Sequence, residues 1–456
     1  MRYEAPRQAS VQDMTQARDA RAERQLAMLA RHSCPLVSFT LNIPGPVKNG
    51  PLIREGFNHA LSMAEHALEK NGIEALERLV TRAFTGDEYL CALKADPLML
   101  KRLMCVLEEA DAFGRLLDLD VLDQDGRKIS REAAGFPPRA CLLCGRPASL
   151  CAPARAHGME RLFERTQEIL ADTLMASSAR RIGQLAQKSL IYEALATPKP
   201  GLVDRDNSGA HRDMDLSTLI DSAAALGGYF EEAARTGIRM AGDDPSAAME
   251  ALRPLGIEAE SAMLLATGGV NTHKGALYAL GILCAAAGRV WRQGLELTFD
   301  ALFNTAARVA QKEASRLPSL VAAGGDTNGI KQYAATGTTG ARGEAAAGFP
   351  SVRLVALPRL RQYLREGLSL NDALAFTLIH LIPQVRDTNL MKRAGPVLYG
   401  ETQKQIKELL ARGPLTISAI QALDRRFTAH NLSPGGCADL LAAACFVHWL
   451  EEEATV

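Results

Sequence analysis

The chain is predicted to fold as two domains, an α+β domain followed by an essentially all-α one. Three observations lead there. At 456 residues the chain exceeds one ordinary core, since domains commonly run to about 100–200 residues. Strand-like alternation is concentrated at 35–43 and 116–122. From Met159 onward strand signals nearly vanish, and long alanine- and leucine-rich stretches of helical period take over.

Residues 1–34 are polar and arginine-rich, with a helical pattern through 16–30 that stops near Pro35. Pro35-Leu-Val-Ser-Phe-Thr-Leu-Asn-Ile43 is rich in β-formers, and 57–70 and 97–110 carry helix-period apolar residues. The run 116–122 reads as a strand, with Asp125-Gly126 turning the chain into 127–130. Helices are then predicted over 184–196, 216–235, 247–265, 274–290, 297–314, 370–382 and 438–451. The junction falls in 157–180, itself helix-like, which gives domains over 1–165 and 180–456.

Lysine plus arginine equal aspartate plus glutamate at 52 each, so no basic field favours nucleic acid or an anionic membrane. Any phosphate affinity must be local. The opening Met1-Arg-Tyr-Glu-Ala-Pro-Arg7 lacks a signal-peptide core, and apolar runs such as 277–287 fall short of the roughly 18 residues a span needs. The nine cysteines are mostly scattered, as expected of reduced thiols in a cytoplasmic protein.

In the second domain Thr197-Pro-Lys-Pro-Gly-Leu-Val-Asp204 must be a loop, because its prolines end the preceding helix. Lys199 and Gly201 set a cation beside a permissive backbone, a phosphate-binding combination. The following stretch gathers Asp204, His211, Arg212 and Asp213; its acids can hold magnesium on a triphosphate, although acids also favour helix starts for structural reasons. If a helix starts at Asp213, that residue shares a face with Ser217. Asn271-Thr-His273-Lys274 precedes an apolar helix, so backbone amides would be free for an anion, with ordinary N-capping as the plainer reading. Seven glycines over 324–348, around Arg342 and Glu344, read as a loop for close ligand approach or as a disordered connector. Arg386-Asp387-Thr-Asn389 and Asn431-Leu-Ser-Pro-Gly-Gly436 put polar groups at helix ends, which capping alone can explain.

Six of these motifs, in this order over about 189–449, resemble the triphosphoribosyl-dephospho-CoA synthase family of citrate lyase biogenesis: 197–204, 207–211, 269–275, 340–344, 387–389 and 431–436. The resemblance implies that the 2′-hydroxyl of 3′-dephospho-CoA attacks the anomeric carbon of ATP and releases adenine. Such chemistry needs a carboxylate beside the sugar cation, a proton for the leaving base, and cations or magnesium for the triphosphate. Glu344 or Asp387 can serve the sugar, His211 or His273 the proton, and Lys199, Arg212, Lys274 and Arg342 the phosphates.

In the first domain Asp118 and Asp120 sit two apart on a predicted strand, hence on one face, where together they can chelate magnesium. A solvated edge strand is the more frequent meaning of such a pair. Gly114-Arg115 and the loop leading to Lys48 add cations suited to a phosphate substrate. Ser38-Phe-Thr, Pro44-Gly-Pro-Val-Lys48, 114–121 and Pro137-Pro-Arg-Ala-Cys-Leu-Leu-Cys144 resemble the apo-citrate lyase phosphoribosyl-dephospho-CoA transferase family over about 22–157. That implies a nucleotidyltransferase-like site where a serine of the apo acyl carrier subunit attacks the α-phosphate and expels pyrophosphate, and a chain that looks like the bifunctional fusion of both families. Cys141, Cys144, Cys151 and His157 have the ligand types of a structural zinc site, with reduced thiols as the alternative. An N-ribosyl hydrolase and a non-catalytic assembly factor for the carrier are the rival functions; adenine release without dephospho-CoA marks the first.

Overall fold

The structure is a computed structural model and describes residues 7–151, 154, 156–294, 298–325 and 327–455. The chain divides into two compact units, Met1–Met175 and Ala176–Val456.

In the first unit the elements run α1 (Val11–His32), β1 (Leu36–Leu41), α2 (Pro51–Lys70), β2 (Glu74–Thr81), β3 (Glu88–Lys94), α3 (Pro97–Glu109), β4 (Leu117–Leu122) and the short α4 (Ala148–Cys151). The strands form one antiparallel sheet in the order β2-β3-β1-β4. Alternation decides its faces. Phe39 of β1 stacks on Phe57 of α2 with ring centroids 4.8 Å apart, while Leu36, on the opposite face, packs with Leu90 and Ala92 against Met28 and Leu29 of α1. Helix α1 begins at a capping box between Ser10 and Asp13. Its Arg21 and Arg24 then pair with Glu88 at 2.8 and 2.5 Å.

Strands β2 and β3 were not anticipated. Glu-Ala-Leu-Glu-Arg-Leu of β2 consists of strong helix formers, and β3 is a short apolar run without period; pairing with β1 overrides propensity here. On β4, the Leu119 amide donates to Glu108 Oε1 at 3.0 Å and its carbonyl accepts from Lys101 Nζ at 2.8 Å, both side chains from α3, so buried charged side chains satisfy this edge.

Helix α5 (Met159–Leu195) contains the division point. The second unit continues with α6 (Leu216–Arg239), α7 (Pro245–Ala266), α8 (Lys274–Arg292), α9 (Phe299–Ala310), α10 (Leu317–Ala322), α11 (Asn328–Thr336), α12 (Gly340–Ala346), a π turn (Val352–Ala356), α13 (Leu357–Arg365), α14 (Leu370–Leu381), α15 (Thr388–Ala411), α16 (Ile417–Ala429) and α17 (Gly435–Thr455). Helix α8 is the central member, buried almost throughout from Ala276 to Val290. Glycines let α6 approach it: a Cβ at Gly237 would lie 2.0 Å from the Ala285 carbonyl oxygen, and one at Gly288 would lie 2.3 Å from that of Ala234.

Two local expectations are corrected. The glycine-rich stretch is not one loop, since α11 and α12 form within it; Thr327 caps the first of these and Gly337, at φ 70°, ends it. Helix α6 starts at Leu216, not Asp213, because Asp215 makes the capping box with Thr218. The close helix contact yields a test: Gly237→Ala gains up to about 1 kcal/mol of helix propensity but forces a backbone clash of about 1–3 kcal/mol. Urea unfolding should therefore show a less stable protein, and a stabilised variant would contradict the packing.

Candidate active sites

A cavity of about 1170 Å³ opens in the second unit. The first residues of α8, α15 and α17 all line it, so three helix N-termini, each partially positive, border one space. Two carboxylates, buried Asp387 and half-buried Asp439, bolt these starts together. Asp387 accepts from the amides of Asn389 at 2.8 Å and Leu390 at 3.0 Å with one oxygen, and from the Cys437 amide at 2.9 Å with the other. Asp439 accepts from the Ala276 amide. It also fills the space beside Gly275, where a Cβ would fall 1.9 Å from its Oδ2. Burial pushes the Asp387 carboxyl above the usual range. Burial, with Asp387 and Glu193 as like charges, pushes Asp439 well above it.

His273 precedes α8 and lines the cavity, yet makes no side-chain cap bond. Its Nδ1 lies 2.7 Å from Ser222 Oγ, which lies 2.7 Å from Thr272 Oγ1, while the buried Nε2 has no partner among the described residues. Thr272 donating to Ser222 and Ser222 to Nδ1 assigns the imidazole proton to Nε2. Burial, aided by the Lys199 charge, pushes the ring down to about 3, so it is neutral at physiological pH. His211 sits 2.9 Å from Ser433 Oγ through Nε2, with Nδ1 3.8 Å from Asp213. Burial and Arg393 lower its pKa, and Asp213 opposes them.

The expected cations Lys199, Lys274 and Arg342 all line the cavity, each beside an acid: Glu193 at 2.6 Å, Glu260, and Glu313 at 3.7 Å respectively. Asn271, Glu344 and Asn389 line it too. Glu344 accepts from the Ser351 amide at 2.7 Å and hydroxyl at 3.1 Å, and burial raises its pKa. Gly201, Asp204 and Arg212 lie outside the lining. Gly201, at φ 69°, is where the chain passes Leu432, whose carbonyl oxygen would be 2.0 Å from a Cβ. Asp204, expected to share magnesium with Asp213, spends its oxygens on the amides of Lys199, Asp206 and Asn207 at 2.8–3.0 Å. Sequence reasoning missed Arg386, Lys392 and Arg393 as lining cations and Asp439 as a bolt between helix starts. It also missed Asp424, which holds Gly201 and Asn207 at 2.9 and 3.0 Å. Only for Asp439, beside the Gly435-Gly436 helix start, was there a local signal.

In the first unit a recess of about 180 Å³ is lined by Arg18, Thr40, Asn42, Lys48, Asp87 and Asp118, among others. Asp118 lies opposite Thr40 and Asp120 opposite Ser38 in the β1–β4 register, so both carboxylates occupy one face. Each has a cation: Arg139 at 3.3 Å for Asp118, Lys128 at 2.7 Å for Asp120. Lys48 donates to the Ile43 carbonyl at 2.5 Å, and burial, with Arg18, lowers its pKa. Arg115 and Asp120 do not line this recess; Arg115 donates to the Ala140 carbonyl. Cys141, Cys144, Cys151 and His157 converge, with all four ligand atoms within 4.8 Å of one another, a set that can hold a metal ion.

Residues 179–455 match the family described as ATP:dephospho-CoA triphosphoribosyl transferase, and residues 9–173 match that described as apo-citrate lyase phosphoribosyl-dephospho-CoA transferase. Protein CitXG of Haemophilus influenzae is 32% identical over 96% of this chain and 95% of its own length. Protein CitXG of Leuconostoc mesenteroides subsp. cremoris is 31% identical over 98% of each. A probable 2-(5''-triphosphoribosyl)-3'-dephosphocoenzyme-A synthase of Vibrio cholerae is 41% identical over 60% of this chain and 89% of its own length. The chain belongs to the bifunctional enzymes of citrate lyase prosthetic-group synthesis, with the transferase family first and the synthase family second.

His273 generates a pH prediction. Its folded pKa is depressed below the unfolded value of about 6.5, so the unfolded chain binds the proton first as pH falls. The stabilising effect of keeping the ring neutral is complete above that value and is lost on acidification towards 3. Between pH 7 and 5 this one group should remove about 2 kcal/mol. Urea unfolding at both pH values should show a smaller loss for His273→Gln; equal losses would remove the assignment.

Proposed function

We propose that the second unit joins ATP to 3′-dephospho-CoA and that the first passes the product to the acyl carrier subunit of citrate lyase. The single observation carrying the reading is the convergence of three helix N-termini and several cations on one cavity, which suits a triphosphate. In the first step the 2′-hydroxyl oxygen of dephospho-CoA bonds to the ribose anomeric carbon of ATP as the C–N bond to adenine breaks. The hydroxyl proton ends on the base. Glu344 serves the sugar cation: it is half-buried on the cavity lining, whereas Asp387 is almost fully buried and committed to three amides. His211 relays the proton, because Asp213 opposes the burial that lowers its pKa, whereas nothing opposes burial at His273, whose ring is pushed down to about 3. Lys199, Lys274, Arg342 and Arg386 hold the phosphates, Asn271 and Asn389 the sugar or base.

In the second step a carrier serine oxygen attacks the α-phosphate, forming a phosphodiester and expelling pyrophosphate. This makes the first unit nucleotidyltransferase-like in chemistry. The serine proton is lost to solvent, Lys48 faces the phosphates, and Asp118 and Asp120 present oxygen donors on one face. Those donors fit magnesium, as does exposed Asp213 in the second unit; Asp204, buried and fully hydrogen-bonded, does not. When bound, magnesium supplies neutralisation of phosphate charge. The free cysteines suit a cytoplasmic setting.

Mass spectrometry of the full chain with ATP, dephospho-CoA and apo carrier should show free adenine and a mass gain on one carrier serine. Asp118→Asn should abolish the carrier adduct and spare adenine release; joint loss in a folded variant would contradict separate sites. Lys274→Ala should raise the KM for ATP about 10- to 100-fold, the loss of one charge-assisted contact. Unchanged ATP kinetics would remove Lys274 from the phosphate site.

A further inference from the structure

We infer that Cys141, Cys144, Cys151 and His157 hold one zinc ion, and that this ion clamps the 139–147 hairpin so that Arg139 stays on the Asp118 carboxylate. The inference rests on the assignment of carrier transfer to Asp118, and adds to it a metal-dependent positioning residue.

The donor set is three thiols and one imidazole with no carboxylate, the composition that selects zinc over magnesium or calcium. A tetrahedral ion with Zn–S of about 2.3 Å and Zn–N of about 2.0 Å keeps its ligand atoms roughly 3.5–3.8 Å apart. Here Cys144 Sγ lies 3.5 Å from Cys151 Sγ and 3.3 Å from His157 Nε2, and all four ligand atoms fall within 4.8 Å. The sulfurs are too far apart for a disulfide, whose bond is about 2.05 Å. The first two ligands sit on a tight turn: the Cys141 amide donates to the Arg146 carbonyl at 2.5 Å, Gly145 has φ 72°, and Ala140 bridges Pro147. Most of 137–150 is exposed or half-exposed, so the hairpin has little core of its own, and a metal cross-link supplies what packing does not.

Arg139 lies two residues before the first ligand. Its carbonyl accepts from the Ala148 amide at 2.8 Å, and its guanidinium reaches Asp118 at 3.3 Å, the Leu117 carbonyl, and Glu108 at 3.7 Å. Arg115 also holds this strand, donating to the Ala140 carbonyl. The hairpin thus delivers a cation to the carboxylate that borders the recess in the first unit. Freed from the ion, it would fray and leave Asp118 without that partner.

Elemental analysis of the full chain should find about one zinc per chain, and replacement by cobalt(II) should give the visible absorption of a tetrahedral thiolate site. Cys144→Ser and Cys151→Ser should lose the metal, raise hydrogen exchange across 139–147 and slow carrier modification about tenfold or more. Adenine release should change by no more than about twofold, as for an independent site. If these variants misfold, zinc-selective chelation of the wild-type chain, assayed in excess magnesium with and without zinc added back, reads the same quantities reversibly. Arg139→Gln should keep zinc and lose transfer, with partial rescue by Arg139→Lys. A folded, metal-free protein with full transfer activity overturns the site. Zinc loss that alters neither exchange at 139–147 nor transfer overturns the clamp. If Asp118→Asn still modifies carrier while the zinc and exchange results stand, the assignment of Asp118 fails instead.

Discussion

Asp387 is almost fully buried, and its two oxygens take amides from two different helices, α15 and α17. An unpaired buried carboxylate would be costly, and three charge-assisted bonds are what make it tolerable. Asp439 extends the arrangement from α17 to the first turn of α8. The glycines that adjoin these acids follow from the same constraint: a Cβ at Gly275 would overlap Asp439, and one at Gly436 would come 3.1 Å from Asp387. The cavity wall is therefore built from helix starts fixed relative to one another, with the remaining N-terminal amides and the lining cations left to meet an anion.

The cations are held by acids of graded strength. Lys274 and Glu260 are both partly exposed, and ion pairs of that kind are worth about 0–1 kcal/mol, so a phosphate can displace Glu260 at little cost; Glu313 is buried but keeps Arg253 at 2.6 Å when Arg342 turns to a ligand. Lys199 and Glu193 are buried, and breaking such a pair costs about 3–5 kcal/mol. Lys199 must therefore act while still paired, through the proton not given to Glu193 Oε1 or to the Glu193 carbonyl. A chain with no net charge can in this way gather six lysine and arginine side chains on one cavity, beside five carboxylates. Its positive field is local and is compensated until the ligand arrives.

In the first unit charge is also used to finish backbone structure. Glu108 and Lys101 satisfy Leu119 on the edge strand, and Glu108 in turn holds Arg131 and lies near Arg139. The same network that closes the edge of β4 thus brings guanidinium groups towards Asp118. Stability of the edge and electrostatics of the recess share residues, so neither can be altered alone.

Periodicity was enough to place α1, α3, β1, β4 and the principal helices of the second unit, because each buries a stripe or face whose spacing is written locally. Motif order was enough for the two families, and Lys199, His273, Lys274, Arg342, Glu344 and Asp387 do border one cavity. Strands β2 and β3 were not legible, since helix formers in 74–81 became a strand only through pairing. Residue type likewise pointed to Asp204 as a ligand, but three amides of its own loop claim it. The sequence by itself determined the locally periodic elements, the chemical inventory and the family. The tertiary structure decided which groups meet: Asp439 with α8, Asp424 with Gly201, and Arg139 with Asp118, because a hydrogen bond or ion pair between segments depends on distances that no local spacing encodes.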